Sequence, residues 1–231
     1  MPKSPRTTVI QWIRDHAHHL TTLDVHAPQT DLLPLAALVG DAQVVALGTS
    51  ARQAHELSAF SHRVARFLVE EMGFRSLALE GDDPERLGLG AHIGTGQGTP
   101  RTLSPSSPPL THRNCGSYLR EHFGAGYVPI GVMFHHGMAP CPIPAPPPEF
   151  ADAVLGDAGL DAFFLDLHAE GPAPVRSWLD EPGRTRMIGP AYDAADNAAY
   201  HLAGGSLSAW FDVILHARSV TPTRPLSAVS S

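Results

Sequence analysis

Apolar Val9, Ile10, Ile13, Ala17 and Leu20 recur at helical spacing, so residues 7–20 read as a first helix. Residues 31–39 read as a second, closed by Gly40-Asp41. The short apolar run 43–47, ending at Gly48, has the unbroken character of a strand buried on both faces. Residues 54–72 carry the clearest helical pattern. Leu57, Phe60, Val64, Phe67, Leu68 and Met72 form one stripe, and Gly73 stands where a C-terminal cap belongs. The next strand reads as 75–79, ending at Glu80, and Asp83-Pro84-Glu85 has the form of a helix start.

The alternation continues. A helix over 116–123 precedes a strand over 127–134, and a helix over 149–158 precedes a strand over 161–167. Residues 175–179 precede a strand over 186–188, and 211–215 form a last strand. Strands alternating with helices predict an α/β fold, a three-layer α/β/α domain with a mainly parallel sheet, spanning residues 1–225. Residues 94–113 are rich in Gly, Thr, Ser and Pro and predict an irregular loop. Residues 139–148 are Pro-rich and predict extended chain, and 221–231 predict a disordered tail.

Charge narrows the partners. The net charge is −7 with no run of Lys or Arg, which argues against a nucleic-acid or anionic-membrane surface. No apolar run approaches the roughly 20 residues that cross a bilayer, and residues 1–20 lack the core of a signal peptide. Two cysteines, Cys115 and Cys141, fit a cytoplasmic protein without a disulfide framework. Fourteen histidines are an excess, and histidine titrates near neutrality.

In open α/β sheets ligands bind beyond the carboxyl ends of the strands. That rule selects Thr49, Ser50, Glu80, His135, His136, Asp166, His168 and His216. Each also has a plain structural reading. Glu80 suits a helix cap. His135 and His136 are adjacent, so an extended backbone sends them to opposite sides. Asp166 and His168 would share a strand face, as in many structural hydrogen bonds. His216 reads as a solvated strand end, and His16, His18, His19 and His26 as peripheral surface.

The segment VVALGTSARQAHELSAFSHRVARFLVEEMGFRSLALEGD, residues 44–82, resembles the opening of erythromycin-esterase-like proteins. There a strand runs into Gly-Glu-x-x-His-Gly, a long helix and a second strand ending in Glu. GSYLREHFGAGYVPIGVMF, GLDAFFLDL, APVRSWLDEPGRTRMIGPAYD and GGSLSAWFDVILH are similar to later parts of that family, in the same order. The resemblance places the family's Glu on Thr49, its His on Arg52 and its following Gly on Gln53. The usual general base is therefore replaced, and residues 94–113 stand where longer relatives carry a helical section.

The resemblance and the strand-end residues together imply an enzyme of natural-product biosynthesis or modification, acting on polyketide- or macrolide-type molecules. Its reaction would be cyclisation, elimination, isomerisation or ester hydrolysis by carboxylate and imidazole groups. Glu80, His55, His135 and His136 are the candidate catalytic residues. Thr49, Ser50, Arg52, Glu56 and His168 are candidates for binding substrate. An inactive relative that binds a small molecule is the alternative. Metal binding by His135 or His136 with His168 and Glu80 is a third reading, though the main expectation is no cofactor. Loss of the helical section would expose apolar surface and favour a homodimer.

Overall fold

The computed structural model describes residues 4–78, 115–189 and 192–223. Its strands are β1 (His18–His19), β2 (Val44–Thr49), β3 (Tyr127–Met138), β4 (Pro142–Ile143), β5 (Ala162–Asp166), β6 (Thr185–Arg186), β7 (His201–Leu202) and β8 (Val213–Val220). Its helices are α1 (Pro5–His16), α2 (Leu33–Val39), α3 (His55–Glu70), α4 (Cys115–Phe123), α5 (Ala151–Asp157), α6 (Ala173–Asp180) and α7 (Leu207–Trp210).

Six strands form one sheet in the order β1-β5-β8-β3-β2, with β4 on the end of β3. The three neighbouring strands β2, β3 and β8 are parallel, with Leu47 opposite Ile130 and Ile130 opposite Val213. The strands β5, β1 and β4 join antiparallel, which corrects the expected mainly parallel sheet to a mixed one. Apolar alternation marks which face a residue takes and says nothing of strand direction.

Helices pack on the sheet through two apolar clusters. In the first, Leu57, Phe60, Val64 and Phe67 of α3 join Val128, Ile130, Val132 and Phe134. In the second, Trp12 and Ile13 of α1, Leu155 of α5 and Val175 of α6 join Met133, Phe163 and Ile214. On α3, Arg63 is buried in an ion pair with Asp31 at 2.6 Å and also donates to Thr22 O at 2.6 Å. Its guanidinium holds the Asp31 carboxyl below the usual carboxylate range, against the opposing effect of burial.

Other elements depart from expectation. The first helix stops at His16, because His18 and His19 pair with Phe164 and Phe163 as an edge strand. Residues 75–78 are irregular and exposed instead of a strand, and Leu79, Glu80, the helix start at Asp83 and the loop 94–113 lie outside the described residues. Thr185–Arg186 pairs only with His201–Leu202, apart from the main sheet. Residues 221–223 are held: Thr221 O accepts from His55 N at 2.8 Å, and Thr223 N donates to Gln53 O at 2.9 Å. The rest of the expected tail, 224–231, lies outside the described residues.

Candidate functional site

The carboxyl half of β3 ends in the two adjacent imidazoles. They do not diverge. His135 Nδ1 and His136 Nδ1 are 2.9 Å apart, with the rings nearly perpendicular at 89°. The ladder with β8 pairs Phe134 with Ala217 and His136 with Ser219, and it skips His135. The register is the same on both sides of His135, so the rings meet by turning toward each other and not through a break in the strand. The His135 ring lies on Gly156 of α5, where a Cβ would run into its Cδ2. Burial, then the neighbouring His136 and Arg186, hold the His135 pKa below that of a free imidazole. Both rings line an open groove of about 520 Å³ with Pro142, Pro144 and Ala194.

A larger cavity of about 680 Å³ lies along β2 and β3, lined by Gly48, Thr49, Ser50, Met133, Trp210 and Phe211, among others. Arg120, Glu121 and Tyr127 line it toward the amino end, and Thr185 and Arg186 toward the carboxyl end. Among the described residues, no imidazole lines it. Arg186 stands between the groove and the cavity. It lines the cavity, while its Nη1 donates to His135 O at 2.8 Å and its Nη2 to Pro144 O at 2.7 Å. Its guanidinium also sits 5.2 Å from the Phe134 ring centroid.

Three buried polar groups support this region, two of which were not among the candidates. Asp152 on α5 is fully buried and accepts from Thr185 Oγ1 at 3.0 Å and Arg186 N at 2.8 Å. Burial raises its pKa above the usual carboxylate value. His216 on β8 is fully buried beside Phe163, which corrects the solvated strand end expected of it. Neither of its ring nitrogens has a hydrogen-bond partner among the described residues, and burial pushes its pKa down to about 3. Asp152 sits in the apolar segment FADAVL and Arg186 in the polar segment GRTR, and neither was picked out. His216 interrupts the otherwise apolar run VILHA, a signal that could have placed it inside.

The remaining candidates separate. Thr49 and Ser50 line the cavity. Arg52 and His55 are exposed and line neither concavity. The Glu56 carboxylate is engaged by Thr221, with Oε1 accepting from its hydroxyl at 2.7 Å and Oε2 from its N–H at 2.6 Å. Gln53 has φ +62°, a left-handed conformation that favours glycine. His168 lies at the other end of the sheet, because β5 runs antiparallel to β8 and Asp166 pairs with Val213. The expected Asp166–His168 pair is a turn, with His168 N donating to Asp166 Oδ1 at 2.8 Å. The His168 ring Nε2 instead meets Asp212 Oδ1 at 3.0 Å, which also accepts from Arg120 at 3.0 Å. This placement removes His168 from any metal set with His135 or His136. Among the described residues no group of three or more His, Cys, Asp or Glu is placed to hold a metal. Nor, among them, is any helix long and apolar enough to cross a membrane.

These features define an α/β protein with a ligand-sized cavity and an imidazole pair toward the carboxyl ends of parallel strands. The erythromycin esterase family model matches residues 106–220, and over that stretch the chain belongs to the erythromycin-esterase-like proteins. Two crystal structures share the fold. A Bacillus cereus protein aligns with TM-score 0.80 and 16% identity, covering 96% of this chain and 99% of its own. A succinoglycan biosynthesis protein aligns with TM-score 0.78 and 17% identity, with the same coverage of 96% and 99%. No curated protein matches the chain.

Proposed function

We propose that the protein is an enzyme that modifies a small, mainly apolar natural product of polyketide or macrolide type by proton transfer at His135 and His136. The observation that carries this reading is the imidazole pair, with Nδ1 atoms 2.9 Å apart at the carboxyl end of β3. A general base works best when it is neutral at the operating pH. A lowered His135 pKa serves that role, and His136 is placed to pass the proton on. Glu80 and His55 are further participants in the proposal, with Thr49 and Ser50 toward the substrate body. The reaction is a cyclisation, elimination, isomerisation or ester hydrolysis. We read the fold as three-layered and the protein as cytoplasmic, with a homodimer as its assembly.

Thr49 and Arg52 stand where the resembling family has Glu and His. Arg52 stays protonated and cannot take a proton from water. Erythromycin hydrolysis should therefore be at least roughly 100-fold slower than by a relative with the intact motif. The test incubates purified protein with macrolide lactones and linear polyketide acids and follows mass changes by liquid chromatography and mass spectrometry. Turnover should appear on one of these classes, disappear in His135→Gln and Glu80→Gln, and persist below pH 6.5 until His135 takes a proton. Full activity in both variants would overturn the proposal. The apolar lining of the larger cavity by Met133, Trp210 and Phe211 supports one other reading, a non-catalytic binding protein. Tight binding of a panel compound with no turnover would establish that instead.

A further inference from the structure

Ser50 and Arg186 line the larger cavity, and each keeps a buried polar atom without a partner among the described residues. Ser50 is buried, and its Oγ has no hydrogen-bond partner among the described residues. Arg186 is 1% exposed, and its Nε is likewise unpartnered. Main-chain bonds hold the two segments together. Ser50 N donates to Val132 O at 2.9 Å, and Ile188 N donates to Ser50 O at 2.7 Å. Ser50 therefore lies alongside the segment that carries Arg186.

The charge is as incomplete as the hydrogen bonding. Both terminal nitrogens of Arg186 go to neutral carbonyls, and Nη2 also reaches Asn197 Oδ1 at 3.3 Å. Among the described residues no carboxylate forms a salt bridge with it within 4.0 Å. Its nearest acidic neighbour, Asp152, spends its bonds on Thr185 and on the Arg186 main chain, and burial favours the neutral acid there. A guanidinium keeps its proton even in such surroundings. A buried cation without a counter-ion is costly, and an anion entering the cavity relieves that cost.

We infer that the cavity binds an amphipathic monocarboxylate, its carboxylate at Ser50 Oγ and Arg186 and its apolar body against Met133, Trp210 and Phe211. A volume of about 680 Å³ suits a small organic acid. The inference rests on the reading that this face of the sheet takes a small molecule, and it names the chemical class.

Decanoate and decanol are the probes, titrated calorimetrically and by the fluorescence of Trp210. Decanoate should bind at least 10-fold more tightly than decanol, and Ser50→Ala should weaken decanoate by 3- to 10-fold while leaving decanol unchanged. Trp210→Phe should remove the fluorescence change but not the calorimetric one. Equal affinity for acid and alcohol, or decanoate binding unaltered in Ser50→Ala, would overturn the inference. His135→Gln separates the two readings. It should keep the preference for decanoate while losing turnover, so turnover without acid preference sinks only this inference, and acid preference without turnover sinks only the proposed reaction.

Discussion

The two ends of the parallel strands treat their polar groups in opposite ways. At the amino end, Arg120, His168 and Asp212 satisfy one another near the surface, and the His168 side chain is 63% exposed. Toward the carboxyl end, Ser50, Arg186 and Asp152 are buried, and each has a polar atom without a partner among the described residues. Pro129 O accepts from Asp212 N, and His135 lies six residues further along β3, so the two ends are roughly 20 Å apart. Satisfied, exposed ion pairs contribute little and hold surfaces together. Buried groups left incomplete cost stability, and a fold retains them where they meet a ligand or move a proton. Under the proposed function, the contrast puts structure at one end and chemistry at the other.

The largest expected effect that sharpens this contrast is the acid sensitivity due to His216. Its pKa falls from 6.5 in the unfolded chain to about 3 in the fold. Between those values the unfolded chain binds the extra proton, so stability is complete above about pH 6.5 and declines as pH falls toward 3. The loss is on the order of 4–5 kcal/mol. His216→Leu should be near neutral in stability at pH 7 and should flatten the pH dependence by that amount, as urea denaturation from pH 3 to 7.5 would record. An unchanged profile would mean that His216 is solvated.

Gly156→Ala comes next. Alanine favours a helix by about 1 kcal/mol, but its methyl would collide with His135, and overpacking costs about 1–3 kcal/mol. A net loss of about 1–2 kcal/mol should accompany at least a 10-fold fall in turnover, because the His135 ring is displaced. Gln53→Gly should stabilise the protein by about 0.5–1 kcal/mol in the same assay, since it relieves a left-handed backbone. Smallest of all, His168→Ala should change stability by less than about 1 kcal/mol.

Sequence patterns carried some of this further than others. The stripe on α3 was legible because amphipathic spacing is local, and its ends at His55 and Glu70 fall within two residues of expectation. His135 and His136 were legible because residues that follow a buried strand emerge at its carboxyl end. Their contact was not, since it depends on how the two rings turn and on the space that Gly156 leaves for His135 on a distant helix. His168 was grouped with them wrongly, because the direction of β5 leaves no trace in its composition. Asp152 and Arg186 could not be found by pattern at all: a charged residue in a short helix or strand reads as surface until tertiary packing buries it. The left-handed Gln53 shows the reverse. At the position where the resemblance places the family's glycine, the backbone keeps a glycine-like conformation although the side chain has changed.

The most direct test of which end performs the chemistry is a side-by-side rate measurement of His135→Gln and His168→Gln on whichever compound in the lactone and polyketide-acid panel the wild-type protein converts. The account predicts at least a 100-fold loss in kcat for His135→Gln, with folding intact by circular dichroism, and less than a twofold change for His168→Gln. The opposite result, with His168→Gln inactive and His135→Gln active, would place the chemistry at the amino end and contradict the account.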